Sequence, residues 1–318
     1  MIARGGWCSH PEDWQPRLEG WRALRRRGVR FHSFAQRGGR KVQGVTLGED
    51  SGERPVRLLV AVPHAHEPAP TAAIVELAGA LLGQERPDAS SPGPCWQEVR
   101  KRLLLTLLPD TNSQGRTRSP RAVWDGQVDN ESFLKIAFGE TGDGARFGRF
   151  PEWRWDEHRP RRVGIVYEEV EPGLWVEPNT SRRSTHTRAM DALFEQYRYT
   201  HYLDMHQHEG YEAALLPADF DDLPLDARRV LEQWANAVLS GWEEAGIRHK
   251  GSYIPYRGQP RQQFFREYWA GRCPGMLKLT TETRNNRHSE TGEPTSAHHQ
   301  RKSAWRALES TLTFLVGG

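Results

Sequence analysis

A histidine and a glutamate stand three residues apart in Val62-Pro63-His64-Ala65-His66-Glu67-Pro68, directly after the apolar run Leu58-Leu59-Val60-Ala61. A strand that ends there and then bends turns both side chains toward one point. A neutral imidazole nitrogen and a carboxylate oxygen suit zinc at roughly 2.0–2.2 Å. Two ligands alone do not make a site. Further along, Leu203-Asp204-Met205-His206 can supply a third ligand, and Leu279-Thr280-Thr281-Glu282 a general base. Strand alternation puts His208 on the same face as His206, so either can be that third ligand. A His2Glu set is a catalytic pattern, because it leaves a fourth position open for water. In the segment 112–118, Arg116 or Arg118 can stabilise a developing oxyanion or grip a substrate carboxylate.

Each of these residues also has an ordinary reading. His64 and Glu67 can be polar groups of a surface loop, Glu282 a strand-end partner of Arg284, and Arg116 and Arg118 plain surface arginines. The pair His298-His299 has no fitting partner and reads as solvated or capping. What favours the chemical reading is position. His64-Glu67, the Asn112–Arg116 stretch, His206 and Glu282 each fall at or just beyond the C-terminal end of an expected strand, where open α/β sheets bind ligands.

The elements that must hold them follow from periodicity. A helix is expected over 14–27 (Trp14, Leu18, Trp21, Leu24), then strands over 29–34 and 41–47 around the turn at Gly38-Gly39. After a Gly/Glu/Asp-rich loop, a strand over 56–62 leads into an apolar helix over 70–83. A surface loop covers 87–94, and a further helix precedes a strand over 103–108 that stops at Pro109. Residues 119–160 read as an irregular, elaborated loop rich in aromatics (Trp124, Phe133, Phe138, Phe147, Phe150, Trp153, Trp155), better suited to a satellite core than to a binding platform. Strands over 163–168, 200–206 and 276–282 then alternate with helices over 184–199, 225–245 and 297–315. Such alternation means a sheet with helices on both faces.

At 318 residues the chain can bury a substantial core without disulfides. Its 12 Trp and 11 Phe compensate for a modest 36% hydrophobic content. Forty-four basic residues are interspersed with 41 acidic ones, for a net charge of +3, which argues for solvated faces rather than a nucleic-acid footprint. Arg25-Arg26-Arg27 ends a helix, where positive charge is favourable. Cys8, Cys95 and Cys273 are widely spaced and suggest neither a disulfide framework nor a cysteine metal site. No signal-peptide pattern opens the sequence, and no run approaches the roughly 18 apolar residues of a membrane span. A cytoplasmic protein is expected.

The segment Gly38-Gly39-Arg40-Lys41-Val42-Gln43-Gly44-Val45, followed by Arg57–Val60 and His64–Pro68, resembles the opening of the zinc carboxypeptidase superfamily. That superfamily includes the carboxypeptidase A-like peptidases and the aspartoacylase and succinylglutamate desuccinylase branch. Its order of zinc His, zinc Glu, Arg-bearing loop, zinc His and catalytic Glu is matched by His64, Glu67, Asn112–Arg118, His206 and Glu282. The resemblance spans about 38–315, with echoes at Glu177-Pro178 and Thr187-Arg188-Ala189, and Asp204-x-His206 selects His206 over His208. It implies one α/β domain over 1–318, with a mixed, roughly eight-stranded twisted sheet and one zinc per chain. It also implies Glu282 and Arg116 as catalytic groups, with Arg118, Asn112, His66 and either Tyr256 or Tyr253 toward the substrate. The departures concern specificity. His66 stands where carboxypeptidase A-like enzymes often have Arg, Asn112-Ser-Gln-Gly115 only loosely matches Asn-Pro-Asp-Gly, and the Asn-Arg pair that grips a terminal carboxylate is not recognisable at its usual place.

The expected activity is that of a zinc-dependent metallocarboxypeptidase-like hydrolase, cleaving an amide bond near a substrate carboxylate. A deacylase or amidase acting on small N-acyl amino acids is the alternative enzyme, and a zinc-free peptide-binding module the alternative of another class. The partner is then a peptide or small acyl-amino acid, with neither nucleic acid nor membrane involved.

Overall fold

The structure, a computed structural model, describes residues 7–48, 56–83, 96–120, 123–148, 152–256 and 264–317. The expected Gly/Glu/Asp-rich loop before Val56, apart from Gly48, and the surface loop over 87–94 lie outside the described residues. Eight strands build the main sheet: β1 (Val29–Ala35), β2 (Lys41–Leu47), β3 (Val56–Ala61), β4 (Leu103–Asp110), β5 (His201–His208), β6 (Ala213–Leu216), β7 (Ile254–Pro255) and β8 (Leu277–Arg284). Their order is β1-β2-β4-β3-β5-β8-β6-β7. The inner strands β4, β3, β5 and β8 run parallel, whereas β2 pairs antiparallel with β1 and β4, and β6 antiparallel with β8.

Parallel strands covered on both faces read as continuous apolar runs. Leu103-Leu104-Leu105-Thr106-Leu107-Leu108 of β4 is such a run and is buried throughout. Alternate residues feed two cores. Leu58, Val60, Leu203 and Leu279 pack with helices α1 (Pro11–Ala23), α2 (Pro68–Leu81), α7 (Leu225–Glu244) and α8 (Ala297–Gly317). Leu59, Ala61, Leu104 and Tyr202 pack on the opposite face against Met190, Leu193, Phe194 and Tyr197 of α6 (Thr185–Tyr197). Helix α2 is buried on every side except near Glu76, as expected of a helix apolar all round. The short α3 (Trp96–Arg102) precedes β4, and α4 (Ser113–Thr117) follows it.

Several boundaries depart from the sequence expectation. Strand β4 continues through Pro109 to Asp110. Proline is tolerated there because the pairing with β2 shifts between Gln43 and Val45, setting Leu108 and Pro109 opposite Gly44 alone as a bulge in β4. A Cβ on Gly44 would lie 2.6 Å from the Leu107 carbonyl oxygen, so that approach requires glycine. Helix α5 (Asn130–Phe138) emerges within the region read as irregular; Asp129 caps it by accepting from Ser132 N–H. The strand expected over 163–168 is split into Arg162–Val163 and Glu168–Glu171, because Ile165 and Val166 instead donate to the carbonyls of Ile136 and Ala137. Strands β6 and β7 carry too few residues to give a period, and Pro255 disguises the second.

The aromatics of the 119–160 region form two satellite clusters rather than an open platform. Phe138, Phe147 and Trp153 pack with Tyr167, and Trp124 and Phe133 with Ala65 and Ile165. Trp155 is the exception, half exposed; Phe150 lies outside the described residues.

Candidate metal centre

Three parallel strand ends deliver the site. Beyond β3 the chain bends through His64, and Glu67 takes the position just before α2, where its carboxylate makes no capping bond. Strand β5 places His206 in register with Glu282 of β8. Both sit on the α6 side of the sheet, in the row begun by Tyr202 and Asp204.

His64 Nδ1 lies 2.9 Å from Glu67 Oε1 and 3.1 Å from His206 Nδ1, which in turn lies 3.1 Å from Glu67 Oε2. Their ligand atoms form the one group of three or more His, Cys, Asp or Glu among the described residues able to hold a metal ion. The far nitrogen of each imidazole is committed elsewhere. His64 Nε2 meets Glu177 Oε1 at 2.7 Å, and His206 Nε2 meets Asp204 Oδ1 at 3.0 Å. A carboxylate partner fixes the proton on Nε2 and leaves the Nδ1 lone pair free. Two such lone pairs 3.1 Å apart repel unless a cation lies between them. Two atoms each about 2.05 Å from one tetrahedral ion are separated by roughly 3.3 Å, close to the spacing here. The donor set fits zinc.

Electrostatics point the same way. Burial disfavours charge on all four groups, yet their mutual attraction outweighs it. Glu67 and Asp204 are held well below the usual carboxylate range, the first by His64 and His206, the second by His206 and Lys278. His64 is raised by Glu67 and Glu177, and His206 well above its ordinary value by Asp204 and Glu67. These carboxylates demand positive charge between the rings. Protons can supply it, and a divalent ion supplies it in their place.

A cavity of about 270 Å³ opens over this set, lined among others by Asn179, His208, Glu209, Tyr256, Thr280 and Glu282. Glu282 Oε2 has no hydrogen-bond partner. Of the two tyrosines left open by the sequence, Tyr256 reaches the cavity, whereas the Tyr253 hydroxyl donates to Glu232 at 2.9 Å.

Four expected substrate contacts fall elsewhere. Arg116 is 1% exposed, and its Nη2 donates to the carbonyls of His64 and Glu67 and to Thr71 Oγ1 at 3.0–3.2 Å. It thus pins the turn that carries His64 and Glu67 from behind. Arg118 donates to the carbonyls of Val163, Gly164 and Tyr167 and lies over the Trp175 ring, with burial lowering its pKa to about 10. Asn112 accepts from Gly115 N–H as the cap of α4 and donates to Val166 O. His66 is buried, stacked on His64 and facing Phe133 and Phe138.

Sequence reading missed the supporting roles of Glu177 and Lys278. The signal for Lys278 was present: a lysine between leucines in a strand two alternations before Glu282 faces the same way as that glutamate. Glu177 follows a strand of only three residues, Leu174–Val176, too short to carry such a periodic mark.

No family model matches the chain, and no curated protein matches it by sequence. Solved structures do match in shape. A metallo-carboxypeptidase from Burkholderia cenocepacia superposes over 95% of this chain and 69% of its own, with a TM-score of 0.55 at 15% identity. One from Pseudomonas aeruginosa, solved with (2-guanidinoethylmercapto)succinic acid, covers 95% and 67%, with a TM-score of 0.56 at 16% identity. Carboxypeptidase A from Helicoverpa armigera covers 97% and 74%, with a TM-score of 0.55 at 13% identity. With its eight-stranded mixed sheet and helices on both faces, this chain has the fold of the metallo-carboxypeptidases.

Proposed function

We propose that the protein is a zinc-dependent hydrolase of amide bonds, of the metallocarboxypeptidase type, with residues 1–318 acting as one catalytic unit. The observation that carries the reading is the convergence of His64 Nδ1, Glu67 and His206 Nδ1, with both Nε2 atoms held by carboxylates. These three residues would hold one zinc per chain, which when bound would supply Lewis acidity and an activated water. Glu282 takes the proton from the attacking water and hands it to the leaving amine nitrogen. Its Oε2 has no hydrogen-bond partner, so no other group of the protein competes for that proton. Tyr256 contacts the substrate from the cavity wall. Arg116 and Asn112 position the site rather than touch the substrate.

A peptide cut near its free carboxylate is the first substrate class. The cavity volume of about 270 Å³ keeps a small N-acyl amino acid as the second, because a pocket of that size encloses one residue-sized group. Metal content and turnover separate both from a non-catalytic binding module. The test is a zinc-replete screen over C-terminally varied peptides and N-acyl amino acids, run with metal analysis. Metal-dependent cleavage of either class supports the reading, and a chain that takes up no stoichiometric zinc sinks it. No helix among the described residues is long and apolar enough to cross a membrane; a cytoplasmic location remains part of this proposal.

A further inference from the structure

Lys278 sits inside the sheet, in Leu277-Lys278-Leu279 of β8, with a side chain only 4% exposed. Its Nζ lies 2.8 Å from Asp204 Oδ2 and 5.7 Å from the centre of the Tyr202 ring. The other oxygen of that carboxylate, Oδ1, accepts from the Tyr202 hydroxyl at 2.9 Å and meets His206 Nε2 at 3.0 Å. Register explains the cluster. Tyr202 pairs with Lys278, Asp204 with Thr280 and His206 with Glu282, three successive same-face rungs of two parallel strands.

We infer that Lys278 is a positioning residue of the metal centre: its ammonium holds Asp204 so that Oδ1 faces His206 Nε2 and the imidazole aims Nδ1 at His64 and Glu67. This rests on the metal reading proposed above. The ion pair fills one oxygen of Asp204 and thereby assigns the other to the histidine. A buried carboxylate stripped of that cation is an uncompensated charge, which rotates toward any remaining donor or draws water inward. Either movement releases the ring. Changing the partners that orient a ligating imidazole typically costs about 10- to 100-fold in metal affinity. Strand β8 therefore carries two parts of the same device, the base at Glu282 and, two rungs below, the anchor that orients the ligand beside it.

The test is zinc affinity of the full chain, read by competition with a chromophoric chelator. Lys278→Met is expected to bind zinc about 10- to 100-fold more weakly than the parent. Lys278→Arg, which keeps the cation, should recover most of the loss, a rescue that a merely space-filling role would not give. In an Asp204→Asn background, Lys278→Met should add little, since the two act through one contact. Undiminished affinity in Lys278→Met, or fully additive losses in the double variant, overturns the inference. Should Lys278→Met not fold, Lys278→Gln takes its place under the same two criteria. A parent that binds no stoichiometric zinc overturns the metal reading itself, an outcome distinct from a parent that binds and a lysine variant that binds equally well.

Discussion

His206 and Glu282 are register partners on adjacent parallel strands, so the proposed metal ligand and a cavity-facing carboxylate stand one strand spacing apart. Neighbouring backbones lie about 4.8 Å from each other. The pairing makes the distance between these two side chains a property of the sheet rather than of a loop. Ala213 of β6 flanks Glu282 on its other side, which keeps the space beside the carboxylate small and apolar.

Glu282→Gln preserves shape and removes the proton acceptor. It should bind zinc as the parent does and lose turnover by about 100- to 10,000-fold, the usual range for a general base. Metal analysis and single-substrate kinetics on the same sample check this. Near-parental kcat would remove Glu282 from the mechanism.

Zinc that binds only the folded chain stabilises it by mass action, by about 2.7 kcal/mol at 100-fold excess over Kd. A chelator should therefore lower Tm by several degrees, and zinc should restore it. His64→Ala and Glu67→Ala should abolish that zinc-dependent difference while keeping a folded, metal-free baseline. Differential scanning fluorimetry of the three proteins, with and without chelator, decides it. A zinc-dependent shift that survives Glu67→Ala would place the ion elsewhere.

Much of this arrangement was legible in the sequence because sheets convert spacing into direction. His206 and Glu282 were each expected near a strand's C-terminal end, and the register of the two strands places them on a common face. His64 and Glu67 were legible for the same reason, one bend later. Arg116 and Arg118 were not, because a loop of seven residues lets a long side chain point either to solvent or beneath the turn. Only the carbonyls of His64 and Glu67, which converge after folding, decide that Arg116 goes under. Strand β7 was illegible on other grounds: two residues, one of them proline, have no period.

Arg116→Ala tests the inward placement. It removes three hydrogen bonds from one buried nitrogen and leaves the carbonyls of His64 and Glu67 without that donor. The expected cost is about 2–4 kcal/mol of stability in urea unfolding, together with weaker zinc binding. A stable variant whose only defect is a raised KM for carboxylate-bearing substrates would return Arg116 to the substrate.

Gly115 stands in α4, where that helix meets the turn that carries His64. A Cβ there would lie 2.0 Å from the Ile165 carbonyl oxygen and 2.9 Å from the Ala65 side chain. The first obstacle is backbone and the second belongs to the turn that carries His64, so neither yields cheaply. Gly115→Ala should cost about 3 kcal/mol, the upper end of ordinary overpacking, and weaken zinc binding. Gly20→Ala is the control: nothing lies within 4 Å of its Cβ, and it sits inside α1. That change should be neutral or stabilise by up to about 1 kcal/mol. Equal effects at the two positions would mean that α4 is not packed as described.

Tyr253 and Tyr256 lie three residues apart and separate cleanly by partner. Tyr253 donates to Glu232 of α7, and Tyr256 lines the cavity with Glu282. If Tyr256 contacts the substrate, Tyr256→Phe should lower kcat/KM about tenfold through one lost hydrogen bond, with zinc affinity unchanged. A fall in kcat would place that bond in the transition state, and a rise in KM alone would place it in ground-state binding. Tyr253→Phe should leave both constants at parental values and cost only about 1 kcal/mol of stability. The reverse result, with catalysis sensitive to Tyr253 and indifferent to Tyr256, would require the segment around Ile254–Pro255 to rearrange when substrate binds. Hydrogen exchange of the Tyr256 amide, which donates to Leu216 O at 3.1 Å, would reveal that rearrangement directly.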